Sequence, residues 1–320
     1  MTTATQEKGP APETAIKAVP VRHPGRWVAV VVILVLVAMF VNMLITNKHF
    51  DWPFMFDNMF SPPILHGALT TVGLTVSSML IGVVLGVILA VMRLSTNPIL
   101  SGVSWLFTWF FRAMPRIVLM IVFGNMGILY ARLEIGFPFD TQIGHLLGVD
   151  FHGRLFGVDA PTLLTGFMAA LIGLALSEAA YMAEIVRAGI QSIDEGQSEA
   201  ASALGMSRGQ TMRRVVLPQA MRVIIPPTGN ETISMLKDTA LAAYVPVNSE
   251  LFFQIQAVGT RTFNVFPMLV SACLWYLAMS SVLMIGQHFL ERRFSRGHGR
   301  TARGGAAGMP TGVEGGSLSA

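Results

Sequence analysis

The stretch that decides the fold is Glu199-Ala200-Ala201-Ser202-Ala203-Leu204-Gly205, followed nine residues later by Val215-Val216-Leu217-Pro218. It is a polar, basic, helix-forming insert between two apolar blocks, and an insert of that kind implies a partner. Ser192-Ile193-Asp194-Glu195 has the Ser-x-x-Glu spacing of a capping box, in which two side chains satisfy the free backbone N–H groups at a helix start. A helix is therefore predicted to begin near Asp194. Gly205 can take the left-handed conformation that ends a helix, and Ser207-Arg208-Gly209-Gln210 offers a second, weaker capping box directly after it. The prediction is two short helices with a sharp turn at Gly205.

Outward from this insert the composition points to a bilayer. Apolar residues make up 52% of the 320 and charged residues 12%, about half the charged share of an ordinary soluble domain. Residues 27–46 form a charge-free run of twenty, close to the roughly 20 residues that cross the hydrocarbon core. It is followed by Asn47-Lys48-His49 and not by a small-x-small cleavage site, so it reads as a retained spanning helix and not a signal peptide. Five further spans are predicted at about 64–92, 114–131, 163–185, 223–245 and 267–290, with Gly82, Gly86, Gly166 and Gly173 permitting close helix contact. Residues 1–26 and 296–320 lack apolar period and read as disordered tails.

Six spans put both termini on one side, and the Lys and Arg distribution says which. The N-terminal tail, the 93–116 segment, the 186–222 loop and the C-terminal tail hold seventeen of these residues, and the alternate loops hold four. By the positive-inside rule the Glu-Ala-Ala loop and both tails are cytoplasmic. The alternate loops carry Asp51, Asp57, Glu134, Asp140, Asp150, Asp159 and Glu250, so the basic excess belongs to the inner face and nucleic-acid binding loses its support.

The spacing Glu-Ala-Ala, Gly205, then a β-branched residue-x-Leu-Pro resembles the cytoplasmic loop of the membrane subunits of binding-protein-dependent ABC importers. Val215 stands where the family pattern usually has Ile. The flanks, Tyr181-Met182-Ala183-Glu184-Ile185-Val186-Arg187-Ala188-Gly189-Ile190, Leu217-Pro218-Gln219-Ala220, Ile225-Pro226-Pro227 and Gly229-Asn230-Glu231, are similar to the polar amino-acid permeases, the histidine/glutamine/glutamate permease family. The likeness covers about residues 64–295. It implies an all-α polytopic fold of the type I ABC importer transmembrane domain, with about six spans here and coupling helices in the cytoplasm. It also implies that Glu199, Ala200, Ala201, Leu204, Gly205, Leu217 and Pro218 dock on ABC ATPase subunits, which bind the ATP. The other implied partners are an extracytoplasmic solute-binding protein, a second permease subunit, identical or related, and an amino-acid substrate. The place implied is a bacterial inner membrane. Relatives have five spans and an outward N-terminus, so helix 27–46 departs from the pattern, and packing outside the transport core is its plainer role.

Chemistry of the chain's own is not indicated. No Gly is followed by Lys, so a phosphate-cradling Gly-x-x-x-x-Gly-Lys-Ser/Thr loop is absent and the chain is not expected to hydrolyse ATP. His145 and His152 lack the i, i+4 spacing of two ligands on one helix face, the single Cys273 sits in an apolar run, and no Gly-x-Ser-x-Gly marks a nucleophile. No catalytic residue, metal site or cofactor is predicted. A channel or secondary transporter independent of an ATPase is the alternative, but its inverted repeats are not apparent and the cytoplasmic helices would go unexplained.

Ionisable residues inside spans are costly, and each is a functional candidate unless it pairs off. Glu178, Glu231, Lys237 and Asp238 qualify, and Glu231, Ser234 and Asp238 at i, i+3, i+7 share one helix face. The functional reading is that Glu178, Glu231, Ser234 and Asp238 line a water-filled path, with Glu178 attracting a cationic or amino group. The plainer reading is that Glu231 and Lys237-Asp238 cap or pair with neighbouring helices. Glu184 and Arg187 read as an i, i+3 surface pair, and Trp105 to Arg116 as an interfacial aromatic belt with snorkelling arginines.

Overall fold

The computed structural model describes residues 24–149, 153–245 and 247–294. The tail prediction for 1–26 lies outside these except for its last three residues, and that for 296–320 lies wholly outside. The first unit holds helix α1 (Pro24–Thr46), apolar on every side and long enough to span. The second unit, from Asp51 onward, is described separately.

That unit opens with α2 (Trp52–Asn58) and the long α3 (Pro62–Arg93), then α4 (Pro98–Ala113) and α5 (Arg116–Leu129). A hairpin insertion follows: β1 (Arg132–Gly136), α6 (Asp140–Leu147), β2 (Arg154–Asp159) and a single turn α7 (Ala160–Leu163). Next come α8 (Gly166–Gln191), α9 (Glu195–Ala203), α10 (Arg208–Thr211), a π-helical turn over Met212–Val216 and α11 (Leu217–Asp238). A 3-10 turn over Thr239–Tyr244, α12 (Leu251–Thr262) and α13 (Val265–Phe294) complete it.

Among the described residues α1, α3, α8 and α13 are long and apolar enough to cross a membrane, and α4 with α5 makes a fifth if that pair counts as one. The predicted span 114–131 covers α5 alone; α4, which meets it at a bend of 101°, lies in the 93–116 stretch, predicted as an inter-span segment. Pro115 causes the corner, because the residue before a proline is driven from the helical region, and Met114 sits at φ −86°, ψ 132°. The predicted span 223–245 is α11, which starts six residues earlier and gives way to the 3-10 turn after Asp238. It is long enough to cross but too polar to qualify by composition. Its Pro226 and Pro227 lie inside the helix and leave the Arg222 and Val223 carbonyls without their usual donors; Gln287 of α13 donates to the Pro226 carbonyl at 3.4 Å. The span predicted at 163–185 runs to Gln191, so the inter-span loop is 192–216 and not 186–222.

The centre of the unit is the α3–α8 pair. A Cβ at Gly82 would lie 2.6 Å from Glu178 Cγ, and one at Gly86 would lie 2.5 Å from Met182 Cβ and 3.0 Å from the Ala179 carbonyl. The predicted small-residue contact therefore forms at Gly82 and Gly86, where hydrogen lets two backbones approach. Around it Leu74, Met120, Leu174 and Met235 bring α3, α5, α8 and α11 into one buried cluster.

A second cluster, Ile64, Leu251, Ile255 and Met268, joins α3, α12 and α13, and a carboxylate pins it. Glu250 is fully buried. Its Oε1 accepts from Thr71 Oγ1 at 2.8 Å and from the Tyr276 hydroxyl at 2.7 Å, and its Oε2 accepts from the Phe252 and Phe253 amides at 2.7 and 3.2 Å. Burial pushes this carboxyl above the ordinary carboxylate range, against the pull of those four donors. The sequence placed Glu250 among the outer-loop acids; its role as a buried helix cap needs partners on α3 and α13. Glu250→Gln sets an amide against donors and is expected to destabilise by about 3 kcal/mol. The check is the melting temperature in detergent beside Thr71→Val, which loses the bond to Glu250 and the one from the Leu251 amide at 3.3 Å and should fall less. Equal melting of Glu250→Gln and wild type would contradict the pin.

Candidate functional site: the coupling turn and a four-residue ion cluster

The first candidate site is the 192–216 segment. The helix begins where predicted, but by a different cap: Asp194 accepts from the Gly196 amide at 2.8 Å, while Ser192 closes α8 by donating to the Gly189 carbonyl. The Ser192–Glu195 capping box does not form, because α8 continues to Gln191 and holds Ser192 in its last turn. Gly205 has φ +77°; its N–H donates to the Ser202 carbonyl and that of Met206 to the Ala201 carbonyl, the paired bonds of a Schellman termination. The Ser207–Gln210 capping box is complete, with both reciprocal bonds present.

The second helix is not a separate short one. α10 passes through the π turn straight into α11, so the turn at Gly205 sits at the end of a continuous rod. Pro218 accounts for the wide turn: it lacks an N–H and its ring pushes away the carbonyl four residues back, that of Arg214. Of the predicted docking residues, Glu199, Ala200, Gly205, Leu217 and Pro218 are exposed and Leu204 is 83% exposed, whereas Ala201 is buried and secures α9 to the rod. A cavity of about 740 Å³ beside the rod is lined by Val87, Met182, Val186, Met212, Leu217 and Ile224 among others.

The second site lies deeper. Arg116, the first residue of α5, donates from Nη2 to Glu178 at 3.1 Å and to Glu231 at 3.3 Å, and from Nη1 to Asp238 at 2.5 Å. Its guanidinium carbon lies 5.1 Å from the Tyr181 ring centre, and that of Arg112 lies 5.5 Å from the same ring. Glu178 is thirteen residues from Gln191, about 20 Å along the helix. Glu178 and Glu231 share a layer, since both meet Arg116 Nη2, and Glu231 and Asp238 face one way, as their spacing predicts. Ser234 lies on that face without a hydrogen bond to the cluster among the described residues. Lys237 is exposed and makes no ion pair among them.

The pairing expectation thus describes Glu231 and Asp238, but their partner is a residue that the charge count had assigned to a cytoplasmic loop. Removing Arg116 from that count leaves the bias intact. Glu178 is paired too: its side chain is 0% exposed and cannot meet a solute directly, while Glu231 at 24% and Asp238 at 35% keep open edges. Its Oε1 has no hydrogen-bond partner among the described residues. One guanidinium faces three carboxylates, a formal excess of two negative charges if all are ionised. The signal that could have located Arg116 is the presence of three acids in spans with a single cation, Lys237, among them. The Glu184–Arg187 pair forms as expected, with Arg187 Nε 3.1 Å from Glu184 Oε2.

This geometry, a capped turn at the end of a helix whose far half grips a part-buried arginine, belongs to a protein of known type. Residues 82–296 match the family described as binding-protein-dependent transport system inner membrane component. The chain belongs to this family. As a permease of that family it is 46% identical over 299 residues, 92% of this chain and 89% of the other, to the arginine transport system permease protein ArgU of Corynebacterium glutamicum. It is 33% identical to the probable amino-acid ABC transporter permease YckA of Bacillus subtilis, over 77% of this chain and 96% of that one. The glutamate/aspartate import permease GltK of Escherichia coli is 30% identical, over 76% and 98%.

A solved amino acid ABC transporter with histidines matches with TM-score 0.59 and 28% identity, over 76% of this chain and 98% of its own. The MetNI methionine transporter, inward facing, shares the fold at TM-score 0.53 and 19% identity, over 74% and 100%. The type I importer fold and a multi-pass membrane permease follow, and the ATPase-independent channel reading falls. The two-stranded hairpin is the departure from an all-helical description.

Proposed function

We propose that this permease is the translocating subunit of an ATP-driven importer for amino acids with cationic side chains. The observation that carries the cargo class is the convergence of Glu178, Glu231 and Asp238 on one guanidinium, two of them with open edges. The 46% identity to an arginine permease supports it. A ring of carboxylates that already holds one guanidinium has the charge and the fork geometry to receive another.

In this reading Glu199, Ala200, Ala201, Leu204, Gly205, Leu217 and Pro218 engage ABC ATPase subunits, which bind the ATP, and the chain itself holds no nucleotide or metal. A solute-binding protein delivers cargo on the opposite side, and a second permease subunit, identical or related, completes the path. Both termini and the 192–216 segment face the cytoplasm, as the Lys and Arg bias supports. ATPase closure moves the α10–α11 rod, which carries Glu231 and Asp238 with it and switches access from one side to the other.

Asp238→Asn tests the cargo assignment. Losing one charge-assisted bond of about 1.5–3 kcal/mol is expected to lower arginine uptake by proteoliposomes about ten-fold or more and to spare ATPase binding. Uptake and selectivity equal to wild type would remove Asp238 from the path.

A further inference from the structure

The hairpin between α5 and α8 is unlike an ordinary solvent loop. β1 and β2 pair antiparallel, with Arg132 opposite Asp159, Leu133 opposite Val158, Glu134 opposite Gly157 and Ile135 opposite Phe156. Because side chains alternate across a strand, Leu133, Ile135, Phe156 and Val158 share one face, and Arg132, Glu134 and Asp159 share the other. The polar face neutralises itself: Arg132 lies 3.3 Å from Asp159, and Arg154 pairs with both Glu134 and Asp140. The apolar face is open at its outer end, where Ile135 is 71% and Phe156 is 63% exposed. Phe137 and Phe139, beyond the strand end, and Leu146 and Leu147 of α6 are exposed as well.

We propose that this apolar face is seated in the lipid interface, on the membrane side opposite the coupling segment, as an amphipathic hairpin anchor. Its side follows from the chain: α8 crosses between the hairpin and the 192–216 segment. Its occupant follows from continuity. The last residues of α5, Ile128 and Leu129, are exposed apolar side chains, and with Tyr130 they run directly into β1, so the surface that faces lipid along α5 does not stop where the hairpin starts.

Its depth follows from the backbone. Strands of five and six residues are short of the roughly 9–11 needed to span. The hairpin has two unpaired edges, which hydrocarbon does not tolerate and the headgroup region, with its water, does. A soluble binding protein fits the face less well, because it must dissociate and would leave the apolar face in water between encounters.

Cys273 is the single cysteine, so a Cys273→Ala background allows site-directed nitroxide labelling. In the assembled transporter in phosphatidylethanolamine–phosphatidylglycerol liposomes, labels at Ile135→Cys and Phe156→Cys are expected to collide several-fold more with oxygen than with a water-soluble nickel chelate. A label at Asp159→Cys, on the polar face, should show the reverse. Three outcomes would overturn the anchor: nickel access at Ile135 and Phe156 equal to that at Asp159, which makes the face wet; shielding from both reagents, which makes it a protein contact; or shielding that develops only when a solute-binding protein is added, which makes it that protein's dock.

Discussion

Arg116→Met is expected to lose both stability and transport, and it is the largest single effect foreseen for this chain. Among the described residues the guanidinium is the one cation bonded to Glu178, Glu231 and Asp238, and the Glu178 side chain is fully buried. Breaking a buried pair by removing one partner leaves an uncompensated charge at about 3–5 kcal/mol, whereas removing both partners is often near neutral. The single variant should therefore melt well below wild type in detergent, and Arg116→Met with Glu178→Gln should recover most of the difference without recovering uptake. Arg116→Lys should fall between, because an ammonium supplies charge but not the planar fork that reaches three carboxylates at once. Wild-type melting of Arg116→Met would show that the cluster does not hold these helices together.

Gly205→Val is expected to separate coupling from assembly. The residue sits at φ +77°, and a Cβ built there meets nothing within 4 Å. Space is therefore not the obstacle; the backbone is. A left-handed conformation costs a non-glycine residue about 1–2 kcal/mol, more for a β-branched one, and relaxing it would break the bonds from Gly205 and Met206 back to α9. ATP-driven uptake should fall about ten-fold or more while the subunit still inserts and folds, since α3, α8 and α13 pack elsewhere. Gly205→Asn, which tolerates this region better than other side chains, should stay close to wild type. Wild-type uptake by the valine variant would mean that the turn is free to unwind.

How much of this could be read in advance depended on distance along the chain. The Ser207–Gln210 box and the Gly205 turn involve residues within a few positions of one another, and both form as the local pattern says. The Ser192 box failed for an equally local reason: two caps competed, and the choice depended on where α8 ended. The alternation Arg132-Leu133-Glu134-Ile135 also carried a strand signal, hidden inside a stretch read as loop. The corner at Pro115 could be placed as a break in the chain, but nothing local says that it brings Arg116 to Glu178, Glu231 and Asp238. Glu250 looked like a surface acid until Thr71 and Tyr276 were brought to it.

By itself, then, the sequence determined that the chain is a polytopic membrane protein, that most of its Lys and Arg lie in the two tails and the 93–116 and 186–222 segments, and that a capped turn about a left-handed glycine follows the Glu-Ala-Ala stretch. These are matters of hydrophobic length, charge count and nearest-neighbour hydrogen bonding. Only the tertiary structure decided that Glu178, Glu231 and Asp238 answer to Arg116, from which they stand 62, 115 and 122 positions away. A buried carboxylate needs a counter-charge, but its own sequence neighbourhood cannot say which of the chain's cations the folded helices will carry to it.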